Sequence, residues 1–371
     1  MMLRWYMLCL LLCGLATLGQ TAENQAYLGL FAETSLMKMA GMPDIELPAG
    51  VQLPPGVVLP GKPKQTLQVR LWSPSIAPDT AFAKIAPPDG LKLGPLLNLD
   101  LYRPTAESGE VDKNFDPDNT PNFTIKLYWG SSATVKAGQP IIIRWTDMSE
   151  AQKAEMREEA RRAQQKGSYF YKPNWTTGYW PTEKQKGAIP QGAALPGKYA
   201  LTTNYTGNVT LDVPAGVNFL APITLNAPKL SAKIPLDKAI DFQWTPVPGV
   251  LGSYARIFGM IGQNTLIIWV SSESRPELAE DWDYMQMADV RANVQKNIFM
   301  APNRGEVIVP AGIFKDCDAV MMNMVGYGPG AALDQAQPLP RMQTKTTLQV
   351  MLGGKKMNNM GMGGMGGGDE E

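Results

Sequence analysis

Six aromatic residues crowd SYFYKPNWTTGYW: Tyr169, Phe170, Tyr171, Trp175, Tyr179 and Trp180. Rings of this kind present flat apolar faces with polar rims, which suit stacking on sugars. Tyr169, Tyr171, Trp175, Tyr179 and Trp180 are therefore the candidate binding residues. The competing reading is that alternate rings close the end of a sheet as core. The tail carries a second chemistry. Met357, Met360, Met362 and Met365 follow M-x-x-M-x-M-x-x-M spacing, and MKMAGM repeats the theme with Met37, Met39 and Met42. Soft thioethers on a flexible chain can gather around Cu(I). Gly-Met runs also arise as low-complexity tails, so no cofactor is expected beyond this possible Cu(I).

Carboxylates offer two further sites. The loop ESGEVDKNFDPDN gathers Glu107, Glu110, Asp112, Asp116 and Asp118, oxygen ligands of the kind Ca²⁺ takes, but it lacks the glycine and terminal glutamate of a calcium loop. EDWDY (Glu280–Tyr284) sets paired carboxylates beside a tryptophan, the raw material of a glycosidase, with no second carboxylate placed opposite. Four Asn-x-Thr triplets, at Asn122, Asn174, Asn204 and Asn208, matter only in a glycosylating host.

Absences restrict the chemistry more sharply. The chain of 371 residues has no histidine. That removes hydrolases with a histidine base, the histidine-helix zinc proteases and nearly every catalytic zinc site. We therefore expect a non-enzymatic protein. Lysine plus arginine equal aspartate plus glutamate at 34 each, so no net field draws the chain to nucleic acid.

The first residues read as an address. Arg4 precedes an apolar stretch to Gly19, and small residues near Gly19 and Ala22 suit cleavage. The stretch is short for a spanning helix, which needs about 20 apolar residues, so a retained anchor is the alternative to a cleaved export signal. We expect residues 1–22 to be removed, a periplasmic or extracellular location, and no transmembrane segment afterwards. Cys9 and Cys13 fall inside the signal. Cys317 is then the only thiol of the mature chain, no internal disulfide forms, and it reads as a small buried residue.

With 31 prolines and 36 glycines the chain favours short strands and frequent turns, so the expected fold is mostly β. Residues 23–64, with their Leu-Pro and Pro-Gly repeats, read as a Pro-rich linker. A first antiparallel sheet domain is expected over 65–196. Within it, Phe123, Ile125, Leu127 and Trp129 alternate, as do Ile141, Ile143 and Trp145. An exposed helical insertion follows at 149–166, opened by a Ser149/Gln152 capping box and stopped at Gly167. TLQV occurs at Thr66–Val69 and again at Thr347–Val350, which suggests two strands side by side in one sheet.

The second domain is expected over 197–330. GKYALTTNYTGNVTLDVP supplies two strands, and RPELAEDWDYM reads as a short helix. In DFQWTPVPGVLGSYARIFG, Ile240, Phe242 and Trp244 alternate inward, Pro246–Gly249 turns the chain, and Ser253–Met260 returns as the partner strand. Residues 331–371 read as a last strand and a disordered Gly/Met-rich tail.

The Trp-Thr-Pro-Val-Pro-Gly turn followed by Tyr254 resembles the B–C hairpin of fibronectin type III and immunoglobulin-like modules. A wider succession resembles an uncharacterised family of exported bacterial β-rich proteins. Its parts are YWG (Tyr128–Gly130), GQP (Gly138–Pro140), GYWP (Gly178–Pro181), GKY (Gly197–Tyr199), FLAPI (Phe219–Ile223), WTPVPG and YGPG (Tyr327–Gly330). The resemblance implies an immunoglobulin-like second domain and transfers no catalytic residue. The expected role is binding or structural in the bacterial cell envelope, with an envelope protein or a glycan as partner. The alternatives are a Cu(I)-binding periplasmic protein and a carboxylate-based glycan-active enzyme.

Overall fold

The computed structural model describes residues 26–42, 61–103, 122–164, 174–187, 189–276, 284–332 and 341–355. It is mostly β. The first half comprises β1 (Tyr27–Met39), β2 (Lys64–Ser73), β3 (Ala83–Ala86), β4 (Leu97–Asn98), β5 (Asp100–Tyr102), β6 (Thr124–Trp129) and β7 (Ile141–Arg144). Helix α1 (Glu150–Gln164), β8 (Thr176–Trp180), β9 (Gly197–Thr203), β10 (Val209–Val213), β11 (Leu225–Ala227) and β12 (Ile240–Trp244) follow. Then come β13 (Gly252–Ile261), β14 (Thr265–Val270), α2 (Met287–Gln295), β15 (Glu306–Val309), β16 (Ala319–Tyr327), β17 (Ala331–Ala332) and β18 (Arg341–Gly353).

One 11-stranded sheet among the described residues runs β5-β8-β2-β1-β18-β16-β13-β14-β6-β7, with β17 beside β18. Two smaller sheets pack on its inner face, β10-β9-β3-β4 near one end and β11-β12-β15 near the other. Two apolar cores result. The first takes Leu28, Leu30, Leu67, Val69, Leu71, Ile85, Trp180, Tyr199, Leu201 and Met342. The second takes Leu36, Tyr128, Phe242, Trp244, Ile257, Trp269, Met322, Met324, Leu348 and Val350. The long strands β1 and β18 feed both, one end in each core. Between the cores their inner faces carry buried Thr34, Thr344 and Thr346.

The second core is a β-sandwich, with β11-β12-β15 facing β14-β13-β16-β18. Here the Pro246–Gly249 turn behaves otherwise than the hairpin expected. Ile240, Phe242 and Trp244 do point inward. However, β12 pairs with β11 and β15, while β13 pairs with β14 and β16 in the opposing sheet. The turn is an arch between sheets. Burying Phe242 and Trp244 across it contributes roughly 1.5–3 kcal/mol each.

Other expectations need correction. Residues 23–64 are not all linker: β1 is central in the sheet, because Leu28, Leu30, Ala32 and Leu36 supply an inward face at period two. Strands β9 and β10, assigned by sequence to the second domain, pair with β3 and fill the first core. Strands β6 and β7, assigned to the first, extend the second through parallel pairing of β6 with β14. The two TLQV strands share a sheet but are not neighbours, since β1 lies between them. Trp145 leaves strand β7 and sits in a short 3₁₀ turn.

Helix α1 begins as its capping box requires. The Ser149 N–H donates to Gln152 Oε1 at 3.0 Å, and the Gln152 N–H donates to Ser149 Oγ at 3.3 Å. Lys153 and Arg157 reach back over the Trp145 ring. Helix α2, which sequence reading missed, covers the outer face of the second sandwich with Val290 against Tyr254, Phe299 and Tyr327. The expected helix at RPELAEDWDYM falls largely outside the described residues, as do the Pro-rich repeat over 43–60 and the acidic loop.

Candidate binding face

Successive strand residues point to opposite sides of a sheet. Inward Leu67, Val69 and Leu71 therefore turn Gln68, Arg70 and Trp72 outward, and inward Leu28 and Leu30 turn Tyr27, Gly29 and Phe31 outward. Strand register lines these up. Asp100, Tyr179, Arg70, Gly29 and Arg341 form one row across five strands. Tyr102, Thr177, Trp72 and Tyr27 form the next.

The face grades from buried to exposed. At its floor Phe31, Trp72 and Tyr284 are buried together. The Phe31 ring meets Trp72 edge-on at 6.5 Å and Tyr284 at 4.7 Å. Gly29 makes this possible, since a Cβ there would lie 2.8 Å from the Phe31 ring. Tyr27 and Trp175 pack at 5.4 Å beside this floor, both half-buried. At the rim Tyr102, 57% exposed, meets Tyr179 edge-on at 5.1 Å.

Cations lie over the rings. The Arg70 guanidinium sits 4.3 Å above the Tyr179 ring and donates to Gln68 Oε1 at 2.9 Å. Lys345 Nζ sits 4.0 Å from the Tyr284 ring and 3.6 Å from Glu33 Oε2. Stacked in this way, a guanidinium is attracted to the ring face and holds its rigid fork of N–H donors beside it. The Gln343 amide ties the floor to the chain before α2 by donating to the Met285 carbonyl at 2.5 Å.

Of the five binding candidates, the structure places Trp175 and Tyr179 on this face. Trp180 is a correction: it is 1% exposed and faces the opposite way into the first core, because it alternates with Tyr179. Tyr169 and Tyr171 lie outside the described residues. Sequence reading missed Tyr27, Phe31, Arg70, Trp72, Tyr102 and Tyr284, which come from four separate segments. The alternation in AYLGLFAETSL was the available signal.

The metal candidates Met357, Met360, Met362 and Met365 lie outside the described residues, as do Glu280, Asp281 and Asp283. Met37 and Met39 lie on β1 with Met37 38% exposed, and Met42 is 48% exposed. Met39 is in register with Met351, and Met351 with Met321, so three thioethers point outward from adjacent strands. Among the described residues no group of three or more His, Cys, Asp and Glu gathers to hold a metal. Cys317 is fully buried, and burial, reinforced by Asp316 and Asp318, pushes its thiol up to about 11. Such a thiol is a poor nucleophile at neutral pH. Asn204 and Asn208 are also committed, since their side-chain oxygens accept from the Phe82 and Thr203 backbone N–H groups.

Among the described residues no helix is long and apolar enough to cross a membrane. No protein-family model matches the chain, and no curated protein matches it significantly.

Proposed function

We propose that this is an exported, non-enzymatic binding or structural protein of the bacterial cell envelope, and that it engages a partner through the outward face around Tyr102, Tyr179 and Arg70. One observation carries the reading. Aromatic and cationic side chains gather on the side of the large sheet away from both cores, and they end in the exposed Tyr102 against the half-buried Tyr179. Phe31, Trp72 and Tyr284 pack as a small core of their own, but that packing does not require the rim rings Tyr102 and Tyr179, whereas recognition of a sugar or of an aromatic-rich protein surface uses such rings. The apolar segment before Ala22 supports export, and the motif succession supports membership in the exported β-rich family.

Removing the rim tests it. Purified mature protein is titrated with envelope polysaccharide and with detergent-extracted envelope protein, wild type against Tyr102→Ala/Tyr179→Ala. Loss of binding by tenfold or more, about 1.4 kcal/mol, with unchanged melting supports the reading. Equal binding removes the face from it.

A second reading, Cu(I) binding, is favoured by the outward methionine row on β1, β18 and β16. Thioethers alone suit Cu(I). Comparing the tail-less chain ending at Lys356 with Met321→Leu/Met351→Leu separates the row from the tail, and undiminished Cu(I) affinity in both ends this reading. Turnover of envelope polysaccharides, lost on Asp281→Asn or Asp283→Asn, would favour the glycan-active alternative.

A further inference from the structure

We propose that β1 and β18 form a mechanical clamp, so that the protein serves as a force-bearing connector in which tension runs through these two strands and the chain between them lies outside its path. The two strands run parallel and in register from Gly29 opposite Arg341 to Met39 opposite Met351. That is a run of roughly 35 Å at about 3.3 Å per residue. The Ala40 N–H extends it by donating to the Met351 carbonyl at 2.8 Å.

Parallel pairing decides how the run breaks. The chain enters β1 at one end of it and leaves β18 at the other. Tension along the chain therefore drags the strands past each other along their axes, and the ladder bonds share the load and must fail together. The antiparallel β1–β2 pair would behave differently. Tyr27 stands opposite Trp72, so pulling the chain apart there opens the ladder one pair at a time.

Each strand of the clamp is held on its other side as well. Strand β1 is laddered to β2 from Tyr27 to Ser35, and β18 to β16 from Lys345 to Gly353. Side chains add cross-ties, since Lys345 approaches Glu33 at 3.6 Å and the Thr347 hydroxyl donates to Glu33 Oε1 at 2.5 Å. Residues 40–340 fall between the clamped strands, so tension reaches none of them until the clamp gives way. The inference rests on topology and stands without the binding reading.

Single-molecule pulling of the full chain tests it. One tether holds the protein by handles before β1 and after β18. The other holds the handle before β1 and a second attached at Asp79→Cys, in the turn after β2 where the Asp79 side chain is 98% exposed. The clamp predicts a severalfold higher unfolding force in the first geometry. It also predicts one rupture that frees residues 40–340 at once, a lengthening on the order of 1,000 Å at about 3.5 Å per residue. Equal forces in the two geometries, or a shorter lengthening before full rupture in the first, would overturn it.

Discussion

Thr34 and Thr346 stand opposite each other on the inner faces of β1 and β18, 2% and 0% exposed, where the two cores meet. Both hydroxyl oxygens are buried without a hydrogen-bond partner among the described residues. A buried hydroxyl with no partner is a desolvation cost that an isosteric methyl avoids. Thr346→Val should therefore raise stability by up to about 1 kcal/mol in denaturant unfolding, and a loss would show that the hydroxyl is satisfied.

Glu273 shows the opposite case at the mouth of the second sandwich. Its carboxylate takes Lys136 Nζ at 2.8 Å, the Ser131 N–H at 3.3 Å and Arg304 at 3.3 Å. Burial pushes the carboxyl up, but these donors and the two positive charges outweigh it and hold the group below the ordinary 4.5. A depressed folded value stabilises the protein above about pH 4.5, and that stabilisation is lost as the pH falls below it. The group is 34% exposed, so solvent screening limits the effect. Glu273→Gln should cost no more than about 1 kcal/mol at pH 7, with the difference shrinking below pH 4.5. A pH-independent difference would contradict the charge assignment.

At the scale of elements, what was legible in the sequence is what short-range physics determines. The β12 alternation, the α1 capping box and the alternation in β6 are set by neighbours within a few residues. Partnership was not legible there. Pro246–Gly249 looks the same whether it folds a hairpin or arches between sheets, because the choice depends on where β15 and β16 lie. Strand β1 went unread because the prolines after it dominated the reading of residues 23–64. The capping box makes its own prediction. Ser149→Ala should weaken α1 by about 1 kcal/mol, seen as faster amide exchange over the first turn, and it should leave the sheet unchanged. Slowed or unaltered exchange there would deny the cap a role.

At the scale of the whole molecule, the long strands near the two ends of the chain tie the fold together. Because β1 and β18 line both cores, the sandwiches should unfold in one cooperative transition. The segment 197–330 alone lacks β18, β1 and β6, and it carries β9 and β10 away from their partner β3. Expressed alone it should lack cooperative unfolding, and a folded, cooperatively melting 197–330 would contradict this. The binding face was illegible for the same reason. Its residues come from β1, β2, β5, β8 and the Tyr284 segment, and only the sheet register collects them.

The most direct measurement is cross-linked recovery of the mature chain from its native cell envelope, with wild type and Tyr102→Ala/Tyr179→Ala compared side by side and all recovered material identified. The proposed function predicts a stoichiometric envelope protein or glycan joined to the wild type at the outer face of β5, β8 and β2, and lost from the variant. Recovery of the same partner in equal yield from both, or of the wild type alone, would contradict it.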